Sequence, residues 1–358
     1  MPARSPNLLP FPNCPALDGC HCVTNSLAKM FRHAGHPISE EMLLGLGAGM
    51  GFVYWQMKLS GETSVFVGGR ANLKDFSRDV GRRTGVRIAE MRTGSAKKAQ
   101  DVLLGSLEKQ QPMMLGADMG FLPWFDFPAG YHFGGHTFVA CGFDGRETVL
   151  GSDMEAKTAG IKKGFYAPIS LDQLRQARAS AFKPFPPKNL WFDFDFKRFR
   201  NPSGTTIAEA IAQTADAQLH PPIKNLGVSG MRHTAAQLPK WPSLFNDLQL
   251  RMNLFNLYIF IEIGGTGGGA FRAMYARFLD EAASIARNPL WADAAEIFRE
   301  AARRFSSVGQ SFRDAANAAN LDEKMQTADE KMQTAAQELR MIADLEERVW
   351  TQLSEKIR

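Results

Sequence analysis

Cys22 is the residue of this sequence best placed to act as a nucleophile. It ends the run Asp18-Gly-Cys-His-Cys22, and apolar residues follow at positions 23, 27, 30 and 31, the spacing of one face of an amphipathic helix. Gly19 allows a tight turn before this helix, and Gly35 and Pro37 mark its end. A cysteine in the first turn of a helix lies near the positive end of the helix dipole, which favours the reactive thiolate.

A histidine and an aspartate further along the chain are placed to activate such a thiol. His136 precedes the strand-like segment Thr137–Phe143, and Asp144-Gly145 is a two-residue hairpin signal before a return strand at residues 148–150. With a two-residue loop, Asp153 lies directly opposite His136, where its carboxylate orients the imidazole. A longer loop would place Glu155 opposite His136 instead.

A cysteine at a helix start, followed by a histidine and an aspartate on paired strands, is the general layout of papain-like thiol catalysis. A structural role for Cys22 stays open, because free cysteines are most often buried in cores, as Cys141 is predicted to be inside its strand. Cys14, Cys20, His21 and Cys22 fit no standard zinc spacing, so no metal site is predicted.

The composition excludes several classes of protein. The chain has 358 residues, of which 44% are hydrophobic and 22% charged, typical of a globular protein and not of a disordered, collagen-like or disulfide-scaffold chain. No apolar run reaches 18 residues, and the first residues lack the apolar segment of a secretory signal. With only four cysteines, we expect a cytoplasmic protein with reduced thiols and no membrane partner. The net charge of +5 does not by itself argue for nucleic acid.

The chain changes character near residue 200, so its length and pattern predict two domains. Residues 1–198 contain short strand-like runs broken by glycine and proline, whereas residues 199–358 are alanine-rich with helical spacing. Trp191–Phe196 alternates acidic and aromatic residues as a half-buried strand does. The sequence DEKMQTA occurs at residues 322–328 and again at 329–335, and indicates the extension of one helix. The predicted fold class is therefore α+β.

A glycine-rich stretch in the second half has two interpretations. Gly265–Ala270 formally fits a dinucleotide-binding fingerprint, but no second strand follows it, so we reject that reading. The stretch is then either a hinge between two helices or a helix N-terminus lining a substrate cleft. In the second case Glu262 would bind a substrate ammonium group and Arg272 a carboxylate.

Several of these motifs recur together in a known family. They are His21-Cys22, Ser39-Glu40, Gly45–Phe52, Gly135–Asp144, Asp153 and Ala177-Arg178. In this combination, over roughly residues 15–190, the chain resembles the N-terminal domain of the butirosin biosynthesis protein H family. The segment Ile261–Leu279 resembles the helical domain of unknown function that commonly follows it.

The resemblance implies a fold and an activity. The family is related to papain-like, C39-type cysteine peptidases, and its founding member transfers an acyl group from an acyl carrier protein thioester to an aminoglycoside amine. It implies Cys22 as nucleophile, His136 as base and Asp153 as its orienting partner, with no cofactor bound by the enzyme itself. The peptidases carry a glutamine shortly before the cysteine, which is missing here, so backbone N–H groups or Asn25 would stabilise the oxyanion.

The leading functional prediction is therefore an N-acyltransferase in natural-product biosynthesis, with a phosphopantetheine thioester as donor and a small-molecule amine as acceptor. Between Arg70 and Lys98 the sequence has nine basic and three acidic residues. This segment, with Arg82 and Arg83, would dock an acidic carrier protein. A thioesterase or peptidase with the same triad, and a non-catalytic carrier-binding protein, remain alternatives. The sequence leaves the acyl chain, the acceptor and the oligomeric state open.

Overall fold

A computed structural model describes residues 8–59, 62–318 and 322–357, without the side chains of residues 59, 62, 322–327 and 357. It is an α+β protein with 54% helix and 17% strand, as predicted. In chain order the elements are α1 (Cys22–His33), α2 (Glu40–Leu46), β1 (Met50–Leu59), β2 (Glu62–Arg70), α3 (Phe76–Thr84), β3 (Arg87–Met91), α4 (Ala96–Leu107), β4 (Met113–Ala117), β5 (His136–Phe143), β6 (Thr148–Met154), β7 (Gly164–Ser170), α5 (Leu171–Ala179), β8 (Trp191–Asp195), α6 (Gly204–Leu219), α7 (Gly227–Gln237), α8 (Trp241–Leu244), α9 (Asp247–Tyr258), α10 (Arg272–Ala286), α11 (Pro289–Ala318) and α12 (Asp322–Ile357).

The chain forms two compact units that are not consecutive in sequence. The first contains residues up to 43 and residues 80–201, and the second contains residues 44–79 and 202 onward. The predicted division into 1–198 and 199–358 has one boundary close to Asn201, but it does not anticipate that residues 44–79 belong with the second unit. That segment holds the hairpin of β1 and β2, which pairs within itself and contacts α7 and α9.

The first unit is built on a six-stranded sheet in the order β3-β8-β4-β5-β6-β7, and the neighbouring strands run antiparallel. The predicted strand at Trp191–Phe196 is β8, in the interior of this sheet. Every residue of β5 from His136 to Gly142 is buried, which requires cover on both faces of the sheet. Part of this cover is an apolar cluster that joins α4, β5 and α5 through Leu103, Phe138 and Leu174.

The predicted register of the β5–β6 hairpin is wrong. Phe143 pairs with Val149, and the four residues 144–147 separate the two strands, not the two residues Asp144-Gly145. The Asp144 carboxylate accepts hydrogen bonds from the backbone N–H groups of residues 146, 147 and 148, which closes the longer turn. A bulge between Ala140 and Gly142 shifts the register again, so Val139 pairs with Ser152.

The second unit is mainly helical, as predicted for the second half of the chain. The long helices α11 and α12 pack against each other, and their aromatic side chains meet those of α10. The rings of Tyr275, Phe298 and Trp350 have centroids 4.8 to 5.4 Å apart. The helix α12 spans both copies of the DEKMQTA repeat, so the predicted extension of one helix is confirmed. No helix in the described ranges is both long and apolar enough to cross a membrane.

Candidate active site

The helix that carries Cys22 begins at Cys22 itself, as the sequence predicts. His21 is its N-cap, and the Thr24 N–H donates to His21 Nδ1 over 3.4 Å. Cys22 is half-buried, whereas Cys14, Cys20 and Cys141 are buried. Its backbone N–H is in the first turn, where helical N–H groups have no partner within the helix and can bind a developing oxyanion.

The loop before Cys22 is fixed by Glu40, a residue whose role the sequence reasoning missed. Its buried carboxylate accepts hydrogen bonds from the Cys20 N–H at 2.9 Å, the Thr24 hydroxyl at 2.8 Å and the His21 N–H. Gly19 permits this close approach, because a Cβ there would lie 2.2 Å from Glu40 Oε2. Burial raises the pKa of Glu40 to about 7, against the lowering effect of these hydrogen bonds.

His136 and Asp153 meet in the structure although their strands are not in the predicted register. His136 Nε2 lies 2.8 Å from Asp153 Oδ2, and both side chains are buried. One step beyond the pair of Val139 and Ser152, the same register would place Phe138 opposite Asp153. His136 is two residues before Phe138 on the same strand. Diagonal neighbours of this kind on one face are within reach of a long side chain. Because Nε2 is used by Asp153, Nδ1 is the ring nitrogen left for the hydrogen bond between His136 and Cys22.

The charges of the three groups support a thiolate–imidazolium pair. Burial raises the pKa of the Cys22 thiol, but the hydrogen bond and charge of His136, together with the Thr137 N–H, outweigh burial and bring the pKa below its ordinary value. Burial lowers the pKa of His136, but the charge and hydrogen bond of Asp153, together with Cys22, raise it to about 10. The site therefore favours the ionised thiol more than an isolated cysteine does, beside an imidazole that is protonated at neutral pH.

Two aromatic residues of the loop between β4 and β5 complete the site, and the sequence reasoning missed both. The Trp124 indole N–H donates to Asp153 Oδ2 over 2.9 Å, so this oxygen accepts from both Trp124 and His136. The Phe125 ring stands edge-on to the imidazole, with ring centroids 5.5 Å apart. The available signal was the concentration of aromatic residues between positions 121 and 133, directly before His136.

Asn25, which was predicted to stabilise the oxyanion, is hydrogen-bonded to the loop before α1. Its buried amide Nδ2 donates to the carbonyl oxygens of Leu17 and Asp18, both at 3.3 Å. These contacts occupy the donor group that an oxyanion would need, so the backbone N–H of Cys22 is the better-placed donor.

The predicted substrate-binding residues Glu262 and Arg272 lie in the second unit and have internal partners. Arg272 is fully buried, and its Nε and Nη2 form a two-pronged ion pair with the Glu346 carboxylate at 2.7 and 3.0 Å. Glu262 accepts hydrogen bonds from the Gly269 N–H and the Ser306 hydroxyl. These contacts argue against the predicted binding of a substrate carboxylate by Arg272, because binding would break a buried ion pair.

The two arginines predicted to dock a carrier protein differ in exposure. Arg82 is exposed at the end of α3, whereas Arg83 is buried and does not present its charge at the surface. Helical geometry explains the difference, since adjacent residues of a helix point about 100° apart. Cys14, Cys20, His21 and Cys22, considered above as metal ligands, form no such site: no group of three metal-ligating side chains occurs among the described residues.

Two models of known protein families match successive parts of this chain. The family model described as "Butirosin biosynthesis protein H, N-terminal" matches residues 21–153, which begin one residue before Cys22 and end at Asp153. The model described as "Domain of unknown function (DUF4872)" matches residues 172–353, about half of the chain. No curated protein shows a significant match. The chain therefore belongs to the family in which the N-terminal domain of butirosin biosynthesis protein H is followed by this domain of unknown function.

Proposed function

We propose that this protein is an acyltransferase that takes an acyl group from a carrier-protein thioester onto Cys22 and passes it to an amine. The observation that carries the proposal is the assembly of Cys22, His136 and Asp153 in hydrogen-bonded order, with a 2.8 Å contact between the last two. Membership of a family named for a biosynthetic protein supports a role in natural-product biosynthesis. We also propose a papain-like origin for the first unit, since it pairs a cysteine helix with a histidine strand.

In the first half-reaction the Cys22 thiolate attacks the thioester carbonyl carbon. A carbon–sulfur bond forms to Cys22, and the carbonyl oxygen becomes an oxyanion that the Cys22 N–H is positioned to receive. When the intermediate collapses, the bond to the phosphopantetheine sulfur breaks, and His136 donates its proton to that leaving thiolate. The products are an acyl-enzyme thioester, a free carrier thiol and neutral His136.

In the second half-reaction an amine attacks the acyl-enzyme carbonyl. His136 now accepts the proton from the attacking nitrogen, and the Cys22 thiolate leaves as the carbon–sulfur bond breaks. The product is an amide, and the thiolate–imidazolium pair is restored. Asp153, fixed by Trp124, keeps the imidazole oriented through both steps.

The exposed cations of residues 80–98 in the first unit support an acidic carrier as the donor. Arg82, Arg87, Arg92, Lys97 and Lys98 are exposed in this segment. Complementary charge of this kind raises the rate of encounter and weakens with salt. We expect Arg82→Glu to weaken carrier binding several-fold at low salt in a titration with purified acyl carrier protein. The matched control is Arg146→Glu in the β5–β6 turn, and equal affinity for both variants would contradict this docking surface.

The test of the proposed function uses an acyl thioester on purified acyl carrier protein and intact-mass detection. We expect the wild type and Cys20→Ser to gain the mass of the acyl group, and Cys22→Ala to gain none. Cys20 is the matched control because it lies two residues away and is buried.

The fate of the adduct separates the alternatives. Release on addition of small primary amines, with formation of the amide, is the expected result. Release by water at the same rate with and without amine would instead identify a thioesterase or peptidase. A wild type that gains no acyl group would favour a non-catalytic carrier-binding protein.

A further inference from the structure

The loop between β4 and β5 is closed at its base. The Met119 N–H donates to the Phe133 carbonyl oxygen at 3.0 Å. The buried carboxylate of Asp118 accepts hydrogen bonds from the N–H groups of Gly120 and Phe133, both at 3.0 Å. Because both ends are tied to one buried group, residues 119–133 form a compact closed loop of the kind that often carries function.

A tight turn within this loop brings two aromatic rings together. The Tyr131 N–H donates to the Pro128 carbonyl oxygen at 3.0 Å, and Gly130, the third residue of the turn, has a φ of 80°. A positive φ at this position of a turn favours glycine. The rings of Phe127 and Tyr131, on either side of the turn, have centroids 4.4 Å apart. The sequence Phe-Pro-Ala-Gly-Tyr therefore builds an aromatic pair.

Aromatic rings continue from this pair to the candidate catalytic histidine. The Phe127 ring lies 5.6 Å from the Phe125 ring, which lies 5.5 Å from the imidazole of His136, all between centroids. Tyr131 is 41% exposed, Phe125 and Phe127 are half-buried, and His136 is buried. Phe125, Phe127 and Tyr131, which we call the aromatic wall, thus form an apolar surface from His136 to solvent. Partly exposed apolar surface beside reactive groups is typical of a ligand-binding site.

We infer that the aromatic wall binds an aryl or alkyl substituent of the amine acceptor, an inference that rests on the proposed function. In the second half-reaction the amine nitrogen comes within hydrogen-bond reach of His136, since His136 accepts its proton. The substituent on that nitrogen therefore lies beside the neighbours of His136, of which Phe125 is one. Aromatic rings bind aryl and alkyl groups by apolar contact. The acceptor class is a primary amine with such a substituent.

The first test measures, by intact mass, how fast amines release the acyl group from Cys22 after loading from acyl carrier protein. Phenethylamine and ethanolamine are the probes, because both are primary amines of similar basicity and only the first carries an aryl group. At equal subsaturating concentrations we expect phenethylamine to act roughly tenfold faster, the discrimination that a small apolar contact provides. In Phe127→Ala and Tyr131→Ala we expect this ratio to fall towards one, whereas Tyr131→Phe, which keeps the ring, retains it.

Tyr166→Leu in β7 is the matched control, because Tyr166 is exposed to a similar extent, at 37%. The ring of its neighbour Phe165 lies 6.4 Å from that of Trp124, and adjacent residues of a strand point to opposite faces. We therefore expect this control to keep the wild-type ratio. A wild type that forms the adduct but releases it equally fast with both amines would overturn the inference and leave the proposed function standing. Slower loading of Phe127→Ala with unchanged release would also overturn it, in favour of a surface for the pantetheine arm.

A second measurement tests the aromatic wall without acyl transfer. We expect phenethylamine to slow the alkylation of Cys22 by iodoacetamide several-fold in a saturable way, and ethanolamine at the same concentration to have little effect. This protection should be lost in Phe127→Ala and kept in Tyr166→Leu. Because the readout is alkylation of the thiol, it stays valid if no acyl adduct forms, so failure of the proposed function and failure of the inference are distinguishable. Equal alkylation rates of the wild type with the two amines would overturn the inference.

Discussion

Replacing Asp153 with asparagine removes the negative charge that stabilises the His136 imidazolium and keeps the shape of the side chain. The rise in the pKa of His136 from 6.5 to about 10 corresponds to on the order of 5 kcal/mol in favour of the imidazolium. Burial of His136 acts in the opposite direction, and Asp153 is the first group that opposes it. Without that charge, we expect His136 to be neutral near pH 7.

The loss of the imidazolium raises the pKa of Cys22. Asp153 also repels the thiolate directly, but the hydrogen bond and charge of His136 have the larger effect on Cys22, so the net change is upward. A thiol with an ordinary pKa near 9 is ionised to about one part in a thousand at pH 6. Since the thiolate is the nucleophile, we expect alkylation of Cys22 at pH 6 to slow in Asp153→Asn by about tenfold for each unit by which the pKa of the thiol rises.

The assay is the rate of carboxamidomethylation by iodoacetamide between pH 5 and 10, followed by intact mass, with Cys22→Ala defining the background from other thiols. Asp126→Asn is the matched control, because Asp126 is an exposed carboxylate in the same loop as Trp124 and contacts Lys157. We expect this control to keep the wild-type rate at every pH. A wild-type rate for Asp153→Asn at pH 6 would refute the ionised pair, provided that its unfolding transition shows a folded protein.

Three further predictions concern residues around the site and in the second unit. Trp124→Phe keeps the ring but removes the hydrogen bond to Asp153, so we expect Cys22 alkylation to slow roughly tenfold, and an unchanged rate would show that Trp124 is dispensable. The folded pKa of Glu40, about 7, lies above its ordinary value of 4.5, so the folded protein holds more protons between these values and the free energy of unfolding falls as pH rises through this window. In Glu40→Gln we expect this slope, worth roughly 3 kcal/mol, to disappear from urea unfolding measured at pH 4.5 to 7. Arg272→Leu leaves the buried Glu346 carboxylate unpaired, so we expect a loss of about 3–5 kcal/mol in unfolding free energy, with a smaller loss when both residues are made apolar. Equal losses for the single and double variants would argue against this ion pair as the reason for the burial of Arg272.

Local features of the sequence were sufficient to predict those elements whose formation depends on residues close together in the sequence. The helix at Cys22 follows from its apolar spacing and from the glycines around it, and α12 follows from a repeat of nearly two helical turns. The hairpin failed at its turn, because Asp144 can cap a four-residue loop as readily as it can begin a two-residue one. The grouping of residues 44–79 with the second half depends on packing between distant segments, which periodicity does not report.

The candidate site also combines features that the sequence predicted with features that depend on the tertiary structure. The sequence by itself determined which residue types could perform thiol chemistry, and the strand spacing brought His136 and Asp153 to one face even with an incorrect register, because side chains alternate with a period of two. Only the tertiary structure decided which side chains contact the candidate catalytic residues and which are paired elsewhere. Trp124 donates a hydrogen bond to Asp153, and Glu40 accepts one from the loop before Cys22. Arg272 is paired with Glu346 instead of being available to a substrate. Burial and long-range partners set the charge state and reach of each side chain, and both arise only when distant parts of the chain come together.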